Sequence, residues 1–209
     1  DFFFPGLVIN AIESGDGAAL ARWIGEILER GFSTVNMLGC HDGIPLLDLT
    51  GFLPDSTIEE TIELITDRGG VVKNLYGPDG TKISYYQVNA TFFSALGEDP
   101  AKLLLARAIQ LFMPGVPEVW YLDIFGGTND YEAAERFGHK AVNRTNLSID
   151  EIQGRLPRPL VRKQLQLLKF RNSHPAFGGE ADLETGGGDP GRLELTWRRD
   201  GHTAALEAD

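Results

Sequence analysis

The dipeptide His41-Asp42 sets an imidazole beside a carboxylate, directly after a run, Ser33-Thr34-Val35-Asn36-Met37-Leu38, that reads as a β-strand. Gly39 precedes the pair by two residues, and Gly43 follows it and lets the backbone turn. Groups just past the C-terminal ends of parallel strands are where barrel enzymes keep their chemistry. A His-Asp pair in a loop is by itself more often a turn element than a reactive group. Its context here is what singles it out: a strand before it, a glycine after it, and Pro114-Gly115-Val116-Pro117 opening another strand at a βαβ distance.

Other candidates carry less. Cys40 is the only cysteine, so neither an intramolecular disulfide nor a cysteine-based zinc site can form. His139 and His174 lack ligand-spaced partners and His202 falls in a hairpin turn, so no metal is expected. Gly126-Gly127 and Gly186-Gly187-Gly188 open no helix with a following Lys-Ser/Thr and are not phosphate loops. Asp123 reads as a strand-terminating turn, with a place at the border of the site as the alternative. Trp23 and Trp120 read as core; Trp197, in a hairpin, could face either way.

The formal net charge of −11 argues against nucleic acid and against an anionic membrane surface as partners. A phosphate-bearing substrate would have to meet a local cluster of positive charge. No apolar run approaches the roughly 18 residues of a membrane span. The absence of disulfides fits a cytoplasmic location. Asp1-Phe2-Phe3-Phe4-Pro5 has no initiator Met and no basic n-region, and reads neither as a signal peptide nor as a natural start.

The elements that must position these groups follow from periodicity. Phe2 to Val8 reads as a short buried strand with a turn at Pro5-Gly6. Leu20, Trp23, Ile24, Ile27 and Leu28 recur at helical spacing before a Gly31 stop, and Thr57 to Asp67 is again amphipathic. Residues 69 to 84 are Gly-rich and polar and read as a long loop. Pro100 to Phe112 is a helix with proline in its first turn, Val116 to Leu122 a buried strand, and Pro159 to Arg171 a further helix. Leu193 to Arg198, the Asp200-Gly201 turn and Thr203 to Leu206 form a β-hairpin. Alternating strands and helices predict a parallel sheet, with about three strands visible against the eight of a closed barrel.

Several of these segments together resemble a known family. Cys40-His41-Asp42-Gly43-Ile44-Pro45, Tyr86-Gln87-Val88-Asn89-Ala90-Thr91-Phe92-Phe93-Ser94-Ala95-Leu96-Gly97 and Phe112-Met113-Pro114-Gly115-Val116-Pro117-Glu118-Val119-Trp120-Tyr121 look like the sucrose phosphorylase subgroup of glycoside hydrolase family 13, the α-amylase superfamily. Gly127-Thr128-Asn129-Asp130, Val142-Asn143-Arg144 and Leu168-Lys169-Phe170-Arg171-Asn172 continue the resemblance in order. It implies an α/β fold: residues 1–176 as the C-terminal part of a TIM (β/α)8 barrel, about its last three βα units, with an inserted region near 43–99. Residues 177–209 would begin a small all-β C-terminal domain.

The chemistry implied is retaining α-glucosyl transfer, in which two carboxyls about 5–5.5 Å apart act as nucleophile and acid/base. In the family both follow earlier strands and would precede Asp1. The resemblance makes Asp42 the third carboxylate, gripping sugar hydroxyls more tightly as the ring flattens toward the oxocarbenium ion, with His41 on the same hydroxyls. Tyr85, Tyr86 and Gln87 match positions lining the leaving-group and phosphate site, Lys82 is a candidate for positive potential there, and Lys140 stands where the family has an Arg associated with the donor glucose.

Two departures bear on the substrate. Lys140-Ala141-Val142-Asn143-Arg144-Thr145 replaces Arg-Asp-Ile-Asn-Arg-His, and an ammonium is not equivalent to a planar guanidinium. Ile83-Ser84-Tyr85 replaces Leu-Asp-Leu, removing an acidic residue that would repel an anionic acceptor. Both point away from plain sucrose, toward sucrose phosphate or glucosylglycerate. The resemblance thus implies a disaccharide phosphorylase that uses inorganic phosphate as co-substrate and no cofactor. A hydrolase or transglycosylase of the same superfamily and a non-catalytic carbohydrate-binding fragment are the alternatives. The 209-residue piece alone is expected to be inactive, and to associate with the missing N-terminal barrel portion or with itself.

Overall fold

The computed structural model describes residues 1–76, 78–186 and 189–209, and for residues 75, 76 and 82–86 the backbone only. The chain opens with helix α1 (Phe4–Ser14) where the sequence suggested a strand. Pro5 occupies the first turn, where its missing N–H costs nothing, and the Asp1 carboxylate accepts from the amides of Phe3 and Phe4. Phe4, Leu7 and Val8 are buried, with Ala11 and Ile12 packed against the same core. Positions 4, 7, 8, 11 and 12 are a 3.6-residue pattern that the aromatic run at the N-terminus disguises as a strand. Helix α2 (Ala18–Arg30) follows and ends at Gly31, whose φ of 63° supplies a left-handed cap.

Two short strands form a parallel pair, β1 (Val35–Asn36) with β5 (Val116–Pro117). The expected strand 116–122 is therefore cut to two residues, because the chain turns at Trp120 into helix α6 (Tyr121–Ile124). Between the pair lie β2 (Ile44–Pro45), α3 (Asp55–Asp67), β3 (Val71–Tyr76), β4 (Lys82–Asn89), α4 (Phe92–Ala95) and α5 (Pro100–Phe112). The expected loop at 69–84 is mostly a hairpin. Strands β3 and β4 pair antiparallel and β2 adds to the other edge of β4, in the order β2-β4-β3. Glycines at 69, 70, 77 and 80 give the segment a loop-like composition, but Val71-Val72 and Ile83 to Val88 are good strand formers. At the turn, Asp79 accepts from the amide and hydroxyl of Thr81.

Beyond β5 and α6 come α7 (Tyr131–Phe137), a 3-10 turn at His139–Asn143, α8 (Ile149–Arg155), which carries a Ser148–Glu151 capping box, and α9 (Pro159–Ser173). The C-terminal strands β6 (Asp182–Gly186), β7 (Leu193–Arg199) and β8 (His202–Ala208) form an antiparallel sheet in that order. Leu193, Leu195 and Trp197 alternate inward along β7, as a half-buried strand demands. Trp197 faces the core, and its indole N–H donates to the Phe112 carbonyl at 2.8 Å, latching the sheet to the end of α5.

A charged knot ties the first half together. Glu13 on α1 accepts two bonds from Arg68, at 2.8 and 2.9 Å, and one from Lys102 of α5 at 2.8 Å. Arg68 also donates to the Ala95 carbonyl of α4 at 2.7 Å. Burial alone would raise the Glu13 carboxyl, but the bonds and charges of Arg68 and Lys102 outweigh it and hold the group below its ordinary 4.5. A carboxylate depressed in the folded state stabilises it above the unfolded value and loses that effect as pH falls through the folded one. Glu13→Gln should therefore lower stability at neutral pH by about 1–2 kcal/mol. The deficit should shrink as the pH is taken below 4.5. Thermal unfolding at neutral and acid pH checks this; a gap of equal size at both would refute it.

Candidate functional site

The turn after β1 is held through several of its backbone groups. Gly39 donates its amide to the Asp123 carboxylate at 3.0 Å. A Cβ at Gly39 would stand 2.8 and 2.9 Å from the two carboxylate oxygens and 3.1 Å from Phe92, so only glycine permits this approach. Asn143, at the end of the 3-10 turn, donates to the carbonyls of Cys40 (3.0 Å) and Asp42 (2.8 Å), and Arg144 donates to that of His41 (2.8 Å). Gly43 then packs against β4, where a Cβ would meet Gln87 Cγ and the Val88 carbonyl at 2.9 Å each. From Ile44 the chain pairs with Val88, and Pro45 with Gln87.

With its backbone fixed in this way, the turn holds its two polar side chains outward. The side chains of His41 and Asp42 are 62% and 56% exposed, with His41 Nε2 3.5 Å from Asp42 Oδ2. Arg144 reaches the other carboxylate oxygen at 3.6 Å. Ion pairs this exposed contribute little to stability, so the fold gains little from the arrangement; what it creates is an accessible acceptor between two donors. Trp120 lies half-buried beside it, its ring 6.2 Å from His41 and 4.9 Å from Tyr121. The Tyr121 hydroxyl donates to the Thr145 carbonyl. A carboxylate, an imidazole, a guanidinium and an indole edge suit a polyhydroxylated ligand.

Beneath the turn the chemistry is different. Asp123 and Arg107 are buried, their closest charged atoms 3.9 Å apart. Arg107 donates to Gln164 at 3.0 Å and to Gln110. Gln110 in turn donates to the carbonyls of Asn36 (2.7 Å) and Glu118 (2.8 Å), and Gln164 to those of Asp123 (3.0 Å) and Ile124 (2.9 Å). The cluster fastens α5, α6 and α9 to the C-terminal ends of β1 and β5. Burial pushes the Asp123 carboxyl up to about 6, against the pull of the Arg107 charge and the Gly39 amide. Burial likewise brings Arg107 down to about 10.

The sequence-predicted residues fall unevenly. His41 and Asp42 lie side by side on the turn, while Gln87 packs against Gly43 and is buried, its amide 3.5 Å from Asn89 Oδ1. Lys140 is exposed on the same 3-10 turn whose Asn143 holds the site. Tyr85 and Tyr86 lie on β4, Tyr85 opposite Asn74, but their side chains and that of Lys82 are outside the described residues. Asp123 is a buried partner of Gly39 and Arg107 and ends no strand; Trp23 is half-buried and packs against the core, and Trp120 is half-buried beside His41. Trp23 donates to the Asp1 carboxylate at 3.0 Å.

Asn143 and Arg144 are the supporting residues that sequence reasoning did not single out. Their partners lie 101 to 103 residues away, and the only signal was their place in a resembling segment. Cys40, His41 and Asp42 offer ligand atoms within 4.8 Å of one another, the one such group among the described residues. Burial raises the Cys40 thiol, which opposes the thiolate a metal would require.

No protein-family model matches the chain. It is 58% identical to a sucrose 6(F)-phosphate phosphorylase of Ilumatobacter coccineus, across all of this chain and 41% of that protein. It is 37% identical to a sucrose phosphorylase of Agrobacterium vitis, across 99% of this chain and 43% of that one. The crystal structure of sucrose 6F-phosphate phosphorylase from Thermoanaerobacter thermosaccharolyticum superposes with a TM-score of 0.88 at 31% identity, over 99% of this chain and 42% of that one. The chain thus spans about two fifths of the length of the relatives it matches, and corresponds to the C-terminal part of a TIM barrel followed by a small β-sheet. With its His41-Asp42 turn after a parallel strand and its match over the whole length, the chain is homologous to the C-terminal portion of sucrose phosphorylases and sucrose 6(F)-phosphate phosphorylases.

Proposed function

We propose that the full-length protein carrying this chain is a retaining α-glucoside phosphorylase, converting an α-glucoside and inorganic phosphate to α-glucose 1-phosphate. The observation that carries this is the exposed Asp42 carboxylate, held at a strand end between His41 and Arg144, in a chain whose relatives are named as phosphorylases of glucosides. Asp42 accepts the 2- and 3-hydroxyls of the donor glucose, and its hold tightens as positive charge develops on the ring, so it lowers the barrier rather than merely binding substrate. His41 donates to the same hydroxyls. The backbone bonds from Asn143 and Arg144 keep the carboxylate in one place, so little reorganisation accompanies the reaction.

Nucleophile and acid/base are supplied from outside residues 1–209, and the isolated chain is inactive. Gln87, at the base of the hairpin, contributes a neutral hydrogen-bonding group toward acceptor and phosphate. Lys140 serves the donor glucose in place of a guanidinium. The acceptor is phosphorylated or acidic, with sucrose 6′-phosphate and glucosylglycerate as its candidates. The relative at 58% identity, named a sucrose 6(F)-phosphate phosphorylase, favours the former. No helix among the described residues is long and apolar enough to cross a membrane. Val35 and Val116 stand exposed on the parallel pair, and the remainder of the barrel covers them.

The full-length protein should release glucose 1-phosphate faster from sucrose 6′-phosphate than from sucrose or glucosylglycerate, and only when phosphate is supplied. A clear preference for plain sucrose would refute the acceptor assignment, and phosphate-independent release of free glucose would make the protein a hydrolase. Asp42→Asn should cut kcat by roughly 10² to 10³ with a smaller change in KM, on the scale of losing a transition-state contact. Asn143→Ala should leave the fold intact but raise hydrogen–deuterium exchange in the segment 39–43 and lower kcat about tenfold or more. Unchanged exchange there would show that the Asn143 bonds do not hold the turn.

A further inference from the structure

We propose that Asp123 is the positioning residue for the His41-Asp42 turn: it acts through the Gly39 amide to set where the Asp42 carboxylate stands. The proposal rests on the phosphorylase reading of the site and adds to it a group that touches no substrate. Asp123 is 1% exposed, and a charge in that setting is costly unless paired and hydrogen-bonded. Its side chain takes the Gly39 amide at 3.0 Å, three residues before Asp42. The approach is so close that any side chain at Gly39 would collide with both carboxylate oxygens.

On its other side the Asp123 carboxylate meets charge without a hydrogen bond: Oδ1 has no hydrogen-bond partner, and the guanidinium of Arg107 on α5 stands 3.9 Å away. Gln110 and Gln164 hold that guanidinium in turn. Gln164 of α9 also takes the Asp123 carbonyl, so the whole residue is held from below. Among titratable groups, Arg107 faces the carboxylate from α5 and the Cys40 thiol from the turn itself; α9 contributes the neutral Gln164. The position of two helices is thereby transmitted through one carboxylate to one amide at the root of the turn. The Gly39 amide is the only part of the turn's backbone joined to this buried cluster; the carbonyls of residues 40–42 are held from the opposite side by Asn143 and Arg144.

The test separates grip from charge balance. In the full-length protein, Asp123→Asn and Asp123→Leu both leave Arg107 without a counter-charge, so both should lose thermal stability. Only asparagine keeps an oxygen for the Gly39 amide. Asp123→Asn should retain kcat within about threefold, whereas Asp123→Leu should lose on the order of a hundredfold, as expected of a misplaced reacting group, with KM little changed. Hydrogen–deuterium exchange at residues 39–43 should rise in the leucine variant alone. Equal losses of kcat in the two variants, or a leucine variant with near-normal kcat and exchange, would overturn the proposal.

Should Asp123→Leu fail to fold, Gly39→Ala decides, because it disturbs the grip while keeping both charges of the ion pair in the protein. A large loss of kcat at a near-normal melting temperature supports the proposal, and kcat within twofold of wild type overturns it. A wild-type protein with no phosphorolytic activity would sink the functional assignment instead; the exchange measurements would then judge the positioning role alone.

Discussion

The buried contact between Arg107 and Asp123 is the constraint around which this chain is arranged. An ion pair with essentially no solvent access is costly to form, and losing one partner of such a pair costs about 3–5 kcal/mol because the other charge is left stranded. The fold meets that cost with two carboxamides, Gln110 and Gln164, which hold the guanidinium and also bond the backbone where β1, β5 and α6 end. Helices α5 and α9 could pack by apolar contact alone. Polar anchoring adds a defined register between the helices and the strand ends, which apolar packing specifies less sharply.

Above that layer the chemistry changes character over a few ångströms. The core-facing carboxylate, Asp123, is held by a buried cation and pushed toward neutrality by its surroundings. The solvent-facing one, Asp42, is flanked by an exposed imidazole and a guanidinium that solvent reaches. Two aspartates with opposite surroundings sit at either end of one short turn, with Gly39 between them. The turn's carbonyls are taken from the far side by Asn143 and Arg144, so its geometry is set from two directions.

Much of this was legible in the residues and some was not. The helices at 100–112 and 159–171 and the terminal hairpin followed from period alone, and the His41-Asp42 pair was singled out by its strand-Gly context and its family resemblance. Phe2 to Val8 misled because aromatic residues and Pro-Gly imitate a strand and turn, while the capping carboxylate of Asp1 acts through space. The segment 69–84 misled because glycine content masked two strands that stabilise each other only once paired. The buried face of α5 includes Arg107 and Gln110, which a count of apolar positions assigns to solvent. Asn143 and Asp123 could not be placed because their partners are separated from them by roughly a hundred and by 84 residues, and no local pattern encodes such pairings.

The hairpin of β3 and β4 has a mechanical consequence. Its root is stitched to the strand that leaves the His41-Asp42 turn, through Ile44 with Val88 and Pro45 with Gln87, and its far end closes at Asp79 to Thr81. It is in effect a cantilever: clamped where displacement would disturb Asp42, and exposed at residues 78–81. Insertions or substitutions at the free end leave the clamp untouched, so the shape of the overhang can change over generations while the carboxylate it rises from stays where it is.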